Sequence, residues 1–161
     1  MQGRVGLLRR LKEYGWNREG WFVPLEDALK GLGATEAAWQ PPGGGNSIWQ
    51  TLNHLNFYNE RMFHRITNTP AGALPETNEE TFGPAVDPAD EAGWQQAVAH
   101  AGEIAEKLRG ALAELGEADL DRPLKQGTVG DSLVAWIMHD AYHTGQIVLL
   151  RKQQGCWPAT R

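Results

Sequence analysis

Apolar residues recur at helical spacing in four stretches of this chain, and no stretch alternates convincingly at strand spacing. In the first, Leu7, Leu11, Tyr14, Trp21, Leu25, Ala28 and Leu32 follow steps of four and three, with Arg18 in the one gap. Pro24 falls inside this run, where it removes a backbone hydrogen bond and crowds Gly20. The pattern therefore predicts a kink there or two shorter helices, ending near Gly31 or Gly33. A loop rich in Pro and Gly, Trp39 to Gly45, comes next. Asn46 or Ser47 then caps a second helix from about Ile48 to Thr67, with a stripe of Ile48, Leu52, Leu55, Tyr58, Met62 and Ile66. A third helix runs from Glu91 to Leu115, its core side being Trp94, Ala97, Val98, Ala101, Ile104, Ala105, Leu108, Leu112 and Leu115. The fourth covers Asp131 to Leu150. Thr128 and Asp131 have capping-box spacing, with Asp in the usual Glu place. Gly155 is its stop, and Arg151 and Lys152 suit the negative helix end.

Four helices without strands predict an all-α fold, a helix bundle in one domain over residues 1–161. Residues 68–89 hold Pro70, Pro75, Pro84 and Pro88 and show no period. A link of that length inside a compact domain is often functional, as a lid or as a crossover between helices running the same way. The last helix is apolar nearly all round. Val134, Met138, Ala141, Val148 and Leu149 lie off its main face, and its polar strip is narrow, around Asp140, Thr144 and Arg151. Such a helix is buried on more than one side. The second cover is either another subunit, making a homodimer, or the first helix and the tail.

Composition narrows the partners. The chain has 161 residues, 41% hydrophobic and 22% charged, with a net charge of −5. It lacks a basic patch, which argues against nucleic acid. No apolar run of about 18 residues suggests a membrane span. Cys156 is the single cysteine, so no internal disulfide forms. The N-terminal residues lack the apolar core of a signal peptide, which predicts a cytoplasmic protein.

The candidate chemistry lies on the last helix. His139 and His143 are four residues apart and point within roughly 40° of each other. Trp136, Gln146, Ile147 and Leu150 share their sector, so this face points inward. Two buried imidazoles need partners. Either a divalent metal satisfies both, or each has a separate hydrogen bond. A zincin helix would need Glu directly after the first His and a third ligand downstream. Asp140 holds the first position and no His follows His143. His54, on the flank of the second helix's stripe, is the best third ligand. His64 falls on the opposite side and reads as solvated, and His100 stands alone. Three His from two helices would close one end of a pocket with Tyr58, Trp136 and Gln146 near it.

The runs Asn46 to His54 and His139 to Ile147 resemble the DinB/YfiT-like superfamily, as do the loop from Trp39 and the long connection. The resemblance spans essentially the whole chain. It implies a four-helix bundle with a long overhand connection between helices 2 and 3. It also implies a divalent metal on one His of the second helix and two of the last, here His54, His139 and His143, and frequent dimers. Some members are S-transferases or isomerases that use a low-molecular-weight thiol. The family's historical label concerns DNA damage, but nothing in this acidic sequence suggests DNA contact.

Imidazole suits zinc, nickel, copper or iron, with zinc or nickel expected first. Neutral ligands leave the ion its positive charge, which deprotonates a bound water or thiol. No Glu lies one turn from any of the three ligands, which tilts the expectation toward thiol transfer to a small-molecule substrate over hydrolysis. The non-enzymatic reading is a metal-stabilised dimeric binding or stress protein.

Overall fold

Ser47 starts the helix that carries His54. Its hydroxyl accepts from the Gln50 amide at 3.2 Å, and the Gln50 side chain accepts from the Ser47 amide at 3.0 Å. This reciprocal cap satisfies two of the backbone donors that a helix start leaves open. At the other end Asn68 adopts φ 55°, a left-handed conformation that Asn tolerates better than most residues. The computed structural model describes residues 3–158; the end of the predicted tail lies outside them. Their helices are α1 (Arg4–Trp16), α2 (Leu25–Leu29), α3 (Ala34–Ala38), α4 (Ile48–Thr67), α5 (Glu91–Glu114) and α6 (Val129–Gln153), with 3-10 turns at Glu79–Phe82 and Glu117–Asp121. No strand occurs among the described residues beyond one isolated bridge, Pro123 to Thr128. No helix among them is long and apolar enough to cross a membrane.

The first predicted stretch resolves into the two-helix alternative, but with a wider break and a different inner face. Helix α1 stops at Trp16, and Pro24 heads α2 in an extended conformation. The period counted across residues 7–32 therefore joined segments that share no helical phase. Val5, Leu8, Lys12 and Gly15 face inward, whereas Leu7, Leu11 and Trp21 are exposed. An apolar-only reading misses this row because a lysine sits in it.

Helix α4 packs on α5 and α6, and α1 packs on α6 and α5. The apolar core forms two clusters. One gathers α2, α3, the first half of α4, and Trp94, Ala101, Ile147 and Leu150. The other gathers Val5 and Leu8 with Met62, Ile66, Ile104, Leu108, Leu112, Leu133 and Trp136. Along α4 and α6 the buried residues between these clusters are polar: Asn56 and Asn59 on α4, and Asp140, His143 and Thr144 on α6. Lys12 reaches the same layer from α1, to Asp140 and Asn59.

Helix α6 is turned relative to its apolar pattern. Its polar strip, Asp140, Thr144 and Arg151, is buried. Each side chain there is partnered: Arg151 donates to the carbonyls of Ala28, Lys30 and Cys156, and Thr144 donates to the Asp140 carbonyl. Val134, Met138 and Leu149 instead face outward, Met138 being 67% exposed. Neither α1 nor the described part of the tail covers them.

Trp94 anchors the first cluster. It is fully buried, its indole N–H donates to the Leu32 carbonyl at 2.8 Å, and its ring meets Trp49 edge-on. Trp94→Ala should cost about 3–5 kcal/mol of unfolding free energy. Urea denaturation showing a loss below about 1 kcal/mol would contradict this packing.

Candidate metal centre

Three imidazoles meet where the polar layer reaches the surface. Helix α4 supplies His54, and α6 supplies His139 and His143 one turn apart. Their ring centroids lie 4.5–5.0 Å apart, and one ligand nitrogen from each falls within 4.8 Å of the others. His54 and His143 are buried; His139 is partly exposed.

The outward nitrogens of His54 and His143 each have a hydrogen-bond partner. His54 Nδ1 lies 2.5 Å from the Thr81 hydroxyl, whose own proton goes to the Asn78 carbonyl. That hydroxyl can only accept, so His54 carries its proton on Nδ1. His143 Nδ1 lies 2.6 Å from Gln146 Oε1, while the Gln146 amide nitrogen donates to the Tyr142 hydroxyl at 3.2 Å. The proton of His143 is therefore on Nδ1 too. His139 Nδ1 faces the Asp140 carboxylate oxygen Oδ1 at 3.7 Å, an acceptor that favours the same tautomer. The Nε2 atoms of His54 and His143 then present lone pairs to the space between the rings, and those of His54 and His139 are 2.9 Å apart.

Electrostatics favour the neutral form of His54 and His143. Burial, reinforced by the neighbouring imidazoles, pushes His54 down to about 4. His143 is lowered for the same reasons, burial first and His139 second. Three ring nitrogens gathered this closely, two of them on rings that resist protonation, form a set that can share a cation. A tetrahedral ion with nitrogens at about 2.0–2.1 Å would hold them roughly 3.3 Å apart; the His54 and His139 nitrogens are 2.9 Å apart and the whole set lies within 4.8 Å. The donor set fits a divalent metal.

Behind His139, Asp140 forms a buried ion pair with Lys12. Burial by itself would raise the Asp140 carboxyl, but Lys12 and His139 together hold it below the usual range. Asp140 is thus a buried partner of the site, whereas the sequence places it in the helix's polar strip.

A cavity of about 920 Å³ opens beside the three histidines. Tyr58 and Gln146 line it. Tyr58 rests edge-on against His54 and His139 and donates to Asn78 at 3.0 Å. Trp136 does not line it. Its ring belongs to the second apolar cluster and its N–H donates to Asn59 at 2.9 Å. Trp136 lies one turn before His139 on α6, packed into the second apolar cluster. His64 is outside the site, bonded to Thr69, and His100 pairs with Glu60 along a separate cavity of about 720 Å³ between α4 and α5. Cys156 bonds to the Arg151 carbonyl, away from the histidines.

The long connection contributes residues that periodicity could not flag. Its 3-10 turn packs on α4, with Thr81 behind His54 and Phe82 stacked on the His54 ring at 4.0 Å. Glu79, in the same turn, adds a carboxylate to the cavity wall. Gly83 ends the turn at φ 74°, a left-handed conformation that glycine adopts without strain.

No curated protein matches this sequence. The family model described as the DinB superfamily matches residues 24–147, which include all three histidines and the connection. The chain belongs to the DinB superfamily.

Proposed function

We propose that this protein is a metal-dependent enzyme that activates a small thiol for transfer to an electrophile, with His54, His139 and His143 as the ligands of one divalent ion, zinc or nickel. The observation that carries the metal reading is the convergence of three ring nitrogens, one from each histidine, within 4.8 Å of one another. Four long helices, α1, α4, α5 and α6, form the supporting bundle in a single domain, and residues 68–89 make the overhand connection.

The bound ion supplies positive charge that favours thiolate over thiol and hydroxide over water. The chain's own residues bind and orient. Phe82, Tyr58 and Tyr142 give an aromatic wall for the electrophile, and Asn78 and Gln146 give polar contacts. In the transfer, a sulfur–carbon bond forms as the bond from carbon to its leaving group breaks, and the thiol proton passes to solvent or to the leaving group. An open cavity beside the histidines supports chemistry over a closed structural site. Glu79 favours a second reading, hydrolysis, because it places a carboxylate on the cavity wall where a general base would be useful.

The outward row on α6, Val134, Met138 and Leu149, supports a homodimer. Tyr142 and Leu149 belong both to that exposed face and to the cavity wall, so the second copy would approach the mouth of the site.

Three measurements follow. The isolated protein should bind about one divalent ion per chain. His139→Ala should lose most of it, whereas His64→Ala and His100→Ala should retain it. Equal loss in His64→Ala would refute the ligand assignment.

Metal-loaded protein should conjugate a small thiol to a haloarene or epoxide. That activity should survive Cys156→Ser and disappear in His143→Ala. Thiol-independent ester or amide hydrolysis in place of conjugation would select the second reading.

Light scattering should give a dimer that Met138→Lys shifts to monomer. A monomer across a wide concentration range in the unaltered protein would contradict the dimer.

A further inference from the structure

The three histidines are not held alike. His54 and His143 each lean on a neutral group, the Thr81 hydroxyl and the Gln146 amide oxygen. His139 alone faces a carboxylate, and that carboxylate is half used. Asp140 Oδ2 pairs with Lys12, while the buried Oδ1 has no hydrogen-bond partner and lies 3.7 Å from His139 Nδ1.

Lys12 is itself fixed on several sides. Its ammonium donates to Asp140 and, at 3.2 Å, to Asn59 Oδ1, and it stands 4.1 Å from the centre of the Trp136 ring. Trp136 donates to the same Asn59 oxygen, and Asn59 donates to the Leu55 carbonyl at 2.7 Å. The side chains of Lys12 and Asp140 are only 11% and 4% exposed. Neither charge is tolerable there alone, since an unpaired buried charge costs several kcal/mol.

A buried ion pair is a poor means of holding two helices together, because apolar residues of similar volume often do so equally well. The unpartnered oxygen aimed at His139 gives the pair a different use. Imidazole ligands commonly donate their second N–H to a carboxylate, which sets the tautomer and strengthens the metal-facing nitrogen. Helix α1 precedes the matched region, residues 24–147, so the family match does not assign Lys12.

We propose that Lys12 is a positioning residue for the histidine centre: by holding Asp140 in place it keeps the His139 proton on Nδ1 and Nε2 facing His54 and His143. For metal binding this rests on the three-histidine reading above; for the tautomer it does not.

The test uses the full chain with Lys12→Met and Asp140→Leu combined, which replaces the pair by apolar groups and so avoids a stranded charge. Leu29→Ala, buried in the apolar cluster that does not contain Trp136, controls for general loss of stability. In metal-free protein, long-range nitrogen–proton correlation should show His139 mainly as the Nδ1–H tautomer. The double variant should show a mixture, and Leu29→Ala should keep the Nδ1–H tautomer. Chelator competition should show a 10–100-fold weaker affinity for zinc in the double variant, the usual size of an outer-partner effect. An unchanged tautomer with unchanged zinc affinity would overturn the proposal. A shifted tautomer in a protein whose unaltered form binds no divalent metal would uphold the positioning role and overturn the metal reading instead.

Discussion

Three imidazoles from two helices converge on one point, and the structure is built to keep them there. Two rings are held from behind by a hydrogen bond at Nδ1, on the 3-10 turn for His54 and on α6 for His143, and His139 faces the Asp140 carboxylate at 3.7 Å. Burial prevents the simplest escape, protonation, by depressing His54 and His143. The polar layer that holds them lies between two apolar clusters, so the core supplies rigidity above and below a plane of hydrogen-bonding groups. Within that plane the polar side chains are paired almost throughout, as buried polar groups must be.

What the sequence revealed depended on whether the physics was local. The cap at Ser47, the cap at Thr128 and the 3.6-residue stripes of α4 and α5 are local, and those helices begin and end close to where the pattern places them. His54, His139 and His143 were legible because a flank position and an i,i+4 pair follow from helix geometry alone. The inner row of α1 was not, because Lys12 is buried only by virtue of a carboxylate 128 positions away. The turn of α6 was hidden for the same reason: Asp140 and Arg151 look like solvent-facing residues until Lys12 and the carbonyls of α2 are placed against them. Thr81 and Phe82 carried no signal at all. They lie in an aperiodic link, and only its packing on α4 puts a hydroxyl and a ring against His54.

The connection therefore does more than join helices. Its 3-10 turn separates two cavities, with Phe82 and Glu79 facing the histidines and Glu80 and Thr81 lining the space between α4 and α5. Thr81 contacts both, since its hydroxyl meets His54. A displacement of this turn would free His54 Nδ1, disturb the stacked Phe82 and alter the wall where an electrophile would rest. A link of this length is costly to order, and its role as an outer wall of the site explains why it is ordered against α4 rather than left loose.

The central claim is that the three Nε2 atoms share one ion, and X-ray absorption at the metal edge of the loaded protein measures this most directly. The account predicts three imidazole nitrogens, with their outer-ring scattering, at about 2.0–2.1 Å for zinc, and at least one further light atom from solvent. A first shell with one imidazole or none would contradict it, as would a fourth protein ligand closing the site from the cavity.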